Sequence, residues 1–226
     1  MAVAPDEDGL RAYAGTTLAD VLTAAEVDGR PEWVGVDIPI GLAERGSRAA
    51  DLAVREQLGR RAATLFLTPV RAALETDDYA TAVALNRART GAGCSRQAYG
   101  LRAKILEVDA LVRAGERRVL EVHPELSFTA MAGAPPAYGK RTWAGLQERL
   151  RLLEARGLAL DGLHGDTGRA AADDVVDAAA VAWTTRRRAA GVARSWPDPR
   201  RRCRGTPPAR SGPDGPQARR RGRIIR

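Results

Sequence analysis

The amino-acid sequence predicts an α/β fold, and three observations carry that reading. Two short apolar runs rich in β-branched residues, 33–40 (WVGVDIPI) and 117–122 (RRVLEV), read as strands. The stretches before, between and after them space their apolar residues for one helical face. The chain has 226 residues, 44% hydrophobic and 28% charged, so it can bury a core around a sheet as one domain with a tail.

The first helix is expected over 17–26 (TLADVLTAAE), with Thr16 or Thr17 as N-cap and Leu18, Val21, Leu22 and Ala25 on its inner face. Gly29 and Pro31 end it. The strand at 33–40 is interrupted by one acid, Asp37, and closed by Pro39 and Gly41. A helix with Ala50, Leu52, Ala53 and Leu58 follows, stopped by Gly59. Two more are expected over 76–89 and 95–113, the second capped by Ser95 with Leu101, Ile105, Val108, Leu111 and Val112 as its stripe. His123-Pro124 closes the second strand. A helix over 142–154 turns Leu146, Leu150 and Leu153 inward, and a last one over 173–190 is capped by Asp173 or Asp174.

Composition excludes several classes. No apolar run approaches the roughly 20 residues of a membrane helix, and the N-terminus lacks the basic-then-apolar order of a secretory signal. Cys94 and Cys203 are too few for a disulfide framework or a four-ligand zinc site, so a reduced cytoplasm is expected. The net charge of +8 is not evenly spread. Residues 200–226 hold ten arginines against one aspartate, while the body before them is −1. That tail has eight Gly or Pro and no apolar periodicity, so it is expected to be disordered, with a domain over 1–199.

Four acids sit where a solvated charge is unusual. Asp37 stands at the end of an apolar strand, where α/β sheets open onto their ligand crevice. Glu121 lies one residue before the end of the second strand. Asp174 and Asp177 are three apart on the last helix and share a face, among alanines small enough for close packing. Carboxylates converging from strands and a helix suit a pair of hard cations, which activate water and stabilise a leaving oxygen in phosphodiester cleavage. Each acid also has a plain structural reading. Asp37 can accept backbone bonds in its turn, Glu121 can pair with a cross-strand arginine, and Asp174 can cap its helix.

Six segments, in order, resemble the DUF429 family of predicted RNase H-like nucleases: VGVDIPIGL (34–42), RAADLAVREQLGRRAATLFLTPVR (48–71), GCSRQAYGLRAKILEVD (93–109), EVHPELSF (121–128), GKRTWAGLQERL (139–150) and DDVVDAAAVAW (173–183). The resemblance implies an RNase H-like mixed sheet with a helical insertion between strands. It also implies a Mg²⁺- or Mn²⁺-dependent nuclease with Asp37, Asp174 and Asp177 as metal ligands and Glu121 as a further catalytic acid. Arg48, Arg71 and Lys140 would meet substrate phosphate, or else serve as ion-pair partners within the fold. The family opens with a hairpin carrying a Gly-x-Asp-Gly start. Nothing before Ala14 has that pattern, so the first strands are expected to be missing, and with them the activity of this chain. The family pattern stops near 197–199, where the basic tail begins. A non-catalytic protein binding a nucleotide or nucleic acid, or the product of a frameshifted coding sequence, are the alternatives.

Overall fold

The computed structural model describes residues 1–197 and 224–225. It opens with strands, against the expectation that none precedes Ala14. β1 (Ala2–Asp6) and β2 (Gly9–Tyr13) form an antiparallel hairpin in which Asp6 pairs with Gly9 across a two-residue turn. The turn is built by Asp6, whose Oδ1 accepts the Asp8 amide at 3.0 Å, and by Gly9, whose φ of 133° other residues rarely adopt. Val3, Leu10, Ala12 and Tyr13 are buried. The signal was present in the Asp-Gly pair and the Leu-Arg-Ala alternation.

α1 (Leu18–Glu26) starts on a capping box in which Thr17 and Asp20 exchange side-chain bonds with each other's amides. Its free Leu18 amide donates to Glu107 Oε1 at 2.6 Å, a bond from a distant helix. β3 is only Val34–Val36, shorter than the expected 33–40, because Ile40 turns its amide to a side chain rather than to a neighbouring strand. The insertion between strands follows: α2 (Ala49–Leu58), a 3₁₀ turn (Gly59–Thr64), α3 (Arg71–Leu74), α4 (Tyr79–Thr90), α5 (Arg96–Gly100) and α6 (Arg102–Arg113). The single helix expected over 95–113 is therefore two. In α6 Ile105 and Val108 are buried, but Leu111 and Val112 are only partly covered.

β4 (Val119–Val122) pairs in parallel with β3, Val36 lying opposite Glu121. Pro124 then begins α7 (Pro124–Ala132), which sequence reading missed: proline closes a strand, but it also suits the first turn of a helix. α8 (Trp143–Glu154) is capped by Thr142, β5 is His164–Gly165, and α9 runs Ala172–Ala189. The α9 N-cap is Ala171 without a side-chain bond, so Asp173 and Asp174 do not cap it; they lie in its first turn, favoured there by the helix dipole. β6 (Ser195–Trp196) and β7 (Ile224–Ile225) complete the elements.

The strands form two sheets, ordered β1-β2-β5 and β3-β4-β7-β6. Within the segment expected to be a disordered tail, the two described residues, Ile224 and Ile225, form β7 between β4 and β6. The rest of the 200–226 tail, and the boundary placed at 199, lie outside the described residues. α9 packs on β1, β3 and β4, and so spans both sheets. The main core lies between the hairpin, α7, α8 and α9, around Phe128, Leu153, Leu158 and Trp183. β1 and β3 each keep one edge unpaired within the described residues, and both edges border a cleft of about 1110 Å³. Its walls include Val21 of α1, Val108 of α6 and Val181 of α9.

Candidate functional site

The chemistry-bearing residues gather where the C-terminal ends of β3 and β4 meet the first turns of α9. Asp37 directly follows β3. Its side chain is reached by solvent, lines the large cleft and also a smaller cavity of about 250 Å³, and makes no hydrogen bond to a described residue. The protein packed around it raises its pKa to about 7, the Asp177 carboxylate adds to the rise, and Lys140 opposes it. Water in the cleft tempers the desolvation. The repulsion from Asp177, Glu121 and Asp174 acts in the same direction.

Asp177 is buried on α9, 8% exposed. Its Oδ2 accepts a hydrogen bond from Lys140 Nζ, and its Oδ1 is buried with no partner. Burial raises its pKa while Lys140 pulls it down. Lys140 also lies 3.6 Å from Asp173. Burial works against its charge, but Asp177, Asp173 and Asp37 outweigh that and raise its pKa, so it stays protonated. Asp174 is exposed; it lines the large cleft but not the smaller cavity.

Glu121 is brought to the smaller cavity, but both its oxygens are engaged. Arg48 Nη2 donates to them at 2.6 and 2.7 Å, and the Ile40 amide donates to Oε2 at 2.9 Å. Burial pushes the Glu121 carboxyl up, while Arg48 and the Ile40 amide oppose it. Arg48 is itself held charged, its own pKa raised by Glu121 and Asp51 against the cost of burial. Contacts this short to one guanidinium hold both side chains in place. Glu121 thus locks the chain after β3 against β4, positioning Asp37.

Of the three bases expected at phosphate, the structure brings Lys140 to Asp177 and Asp173. Arg48 is buried on Glu121 and Asp51. Arg71 pairs with Asp109 at 2.9 Å, with Glu44 and Glu75 also within reach, and lines neither cavity. Two residues of the site escaped sequence reading. His123, at the C-terminal end of β4, lines the smaller cavity with its Nδ1 buried and unpartnered. Burial, and then Lys140, lower its pKa to about 4, so its ring is neutral. Glu125, in the first turn of α7, pairs with the fully buried Arg149 at 2.6 Å. The signal for His123 was its place at the same strand end as Asp37.

Among the described residues no group of three or more His, Cys, Asp or Glu side chains is close enough to cage a metal ion. The donor chemistry still suits a hard cation. Two carboxylates repel one another, one of them with a buried oxygen lacking any partner, and Mg²⁺ commonly uses one or two carboxylates together with substrate phosphate.

No helix among the described residues is long and apolar enough to cross a membrane, and Cys94 is free. No curated protein matches the chain, and no solved structure does. The family model described as "Protein of unknown function (DUF429)" matches residues 1–202, which takes in the N-terminal hairpin, both parallel strands and α9. The chain belongs to the DUF429 family.

Proposed function

We propose that the protein is a metal-dependent hydrolase of nucleic-acid phosphodiester bonds, built on an RNase H-like sheet. The fold reading is supported by the element order: a hairpin, α1, β3, the insertion, β4 and a last helix α9 across the sheet. The observation that carries the chemistry is that Asp37 and Asp177 line one cavity, where burial and then the Asp177 carboxylate raise the Asp37 pKa to about 7, beside an orphaned Asp177 oxygen.

Asp37 and Asp177 would hold the cation, with Asp174 nearer solvent as an outer acid. Bound there, Mg²⁺ or Mn²⁺ would supply Lewis-acid stabilisation of the phosphoryl oxygens and lower the pKa of an attacking water. The chain's own residues do the rest. Glu121 fixes the loop carrying Asp37, Lys140 offers a charged ammonium to a phosphate oxygen, and the neutral His123 offers a ring nitrogen without adding charge.

The test uses the purified full chain with labelled single-stranded, duplex and hybrid substrates, in Mg²⁺, Mn²⁺ or EDTA. The expected result is cleavage that EDTA abolishes and that falls about a hundredfold or more in Asp37→Asn and Asp177→Asn. Cleavage indifferent to EDTA or to both substitutions would overturn the proposal. A second reading, binding without cutting, is favoured by Lys140 already neutralising Asp177. It predicts nucleic-acid binding with no turnover in either metal.

A further inference from the structure

One exposed feature beside the acids is built more firmly than a surface loop requires. The chain from Ala137 to Thr142 makes a tight turn in which the Gly139 carbonyl accepts the Thr142 amide at 3.0 Å. Lys140 and Arg141 are its two central residues. Tyr138 precedes it and Trp143 follows it, and these are 56% and 75% exposed.

The backbone of this turn is held from several sides. Glu148 accepts the Ala137 amide at 2.9 Å and the Tyr138 amide at 3.2 Å. The Tyr138 carbonyl accepts Arg61 at 2.6 Å and the fully buried Arg149 at 3.2 Å. Thr142 Oγ1 donates to Gly139 O at 2.8 Å and accepts the Gly145 amide at 3.1 Å. A Cβ at Gly145 would lie 2.0 Å from the Gly139 carbonyl, so the turn sits directly on the start of α8. A rigid backbone thus presents two large rings to water, each of which forgoes much of the stabilisation that burial would give it.

The cations between the rings point to an occupant. Lys140 reaches into the acid cluster, whereas Arg141 is 87% exposed and touches Asp173 only through Nε, at 3.4 Å. Its terminal guanidinium nitrogens remain for an anion. Rings flanking an outward cation, one residue from the candidate site, match the alternation of bases and phosphates in a single strand. A duplex hides its base faces and offers these rings nothing.

We propose that the turn with Tyr138 and Trp143 is a stacking platform that selects single-stranded nucleic acid and leads it to Asp37 and Asp177. The platform rests on the reading of nucleic acid as substrate, but it can be tested without cleavage. The probe is a fluorescein-labelled oligothymidylate of about 15 nucleotides, compared with a duplex of the same length. Binding to the full chain is followed by anisotropy in EDTA at roughly 0.2 M salt, where charge contacts from the arginine-rich tail are weakened. In the double variant Tyr138→Leu/Trp143→Leu, single-strand affinity should fall about tenfold or more, while duplex affinity changes less than about threefold. Trp143→Phe, which keeps a ring, should retain most of the affinity. Unchanged melting of each variant checks the fold. A single-strand loss below about threefold, or an equal loss for both probes, overturns the platform. The two proposals fail separately. Ring-dependent single-strand binding without any cleavage leaves the platform standing and removes the nuclease. Metal-dependent cleavage with binding indifferent to both rings does the reverse.

Discussion

Arg149 offers the sharpest test of how the structure holds its site. Its side chain is fully buried, donates to Glu125 at 2.6 Å, Gly145 O at 2.9 Å and Tyr138 O at 3.2 Å, and stacks 5.2 Å from the Phe128 ring. Replacing it with methionine keeps much of the apolar stem but leaves Glu125 in the core with Arg61, at 3.7 Å, as its remaining ion-pair partner among the described residues. Breaking a buried pair by removing one partner costs about 3–5 kcal/mol. For a domain of this size each kcal/mol lowers the melting temperature by about 2–4 °C, so Arg149→Met should melt roughly 6–20 °C below the parent. The double variant Arg149→Met/Glu125→Leu removes both charges and should recover most of that loss. Thermal melts and urea titrations of the parent, both singles and the double form the cycle. A single variant within about 1 kcal/mol of the parent, or a double as unstable as the sum of the singles, would refute the reasoning.

Lys140→Met should raise the Asp37 pKa further above about 7, since Lys140 lowers it, and so move the pH midpoint of Mg²⁺ binding upward; calorimetric titrations from pH 5 to 9 read the shift. His123 is lowered from 6.5 to about 4, so the stability it contributes is present above pH 6.5 and lost as pH falls through 4. His123→Gln should therefore lose less stability between pH 6.5 and 4 than the parent, and parallel acid limbs in the two urea series would contradict it. In Gly35→Ala the new methyl would lie 2.2 Å from Thr185 Oγ1 and 2.6 Å from Val181 Cγ1, forcing α9 off β3. The expected cost is about 1–3 kcal/mol by urea unfolding, and a neutral result would mean that α9 has room to shift.

The local elements were legible because their signals are local. Thr17 and Asp20 stand at the spacing of a capping box, Gly59 ends α2, and the Val-Gly-Val run ahead of Asp37 makes a strand. The shared face of Asp174 and Asp177 follows from helical periodicity alone. The hairpin before Ala14 is equally local, in its Asp-Gly turn and short alternation.

Tertiary structure decided what those residues face. Burial separates Asp177, with an orphaned oxygen, from Asp174 three residues earlier in solvent, and no spacing rule distinguishes the two. The same holds for Arg48, locked on Glu121, and for Arg149, closed into the core among many exposed arginines. Lys140 lies 37 positions from Asp177, and only the packing of α8 and α9 brings its ammonium to the carboxylate. Sequence periodicity sets which residues share a face of one element. The charge and dielectric a residue meets come from a second element, whose approach is fixed by the core.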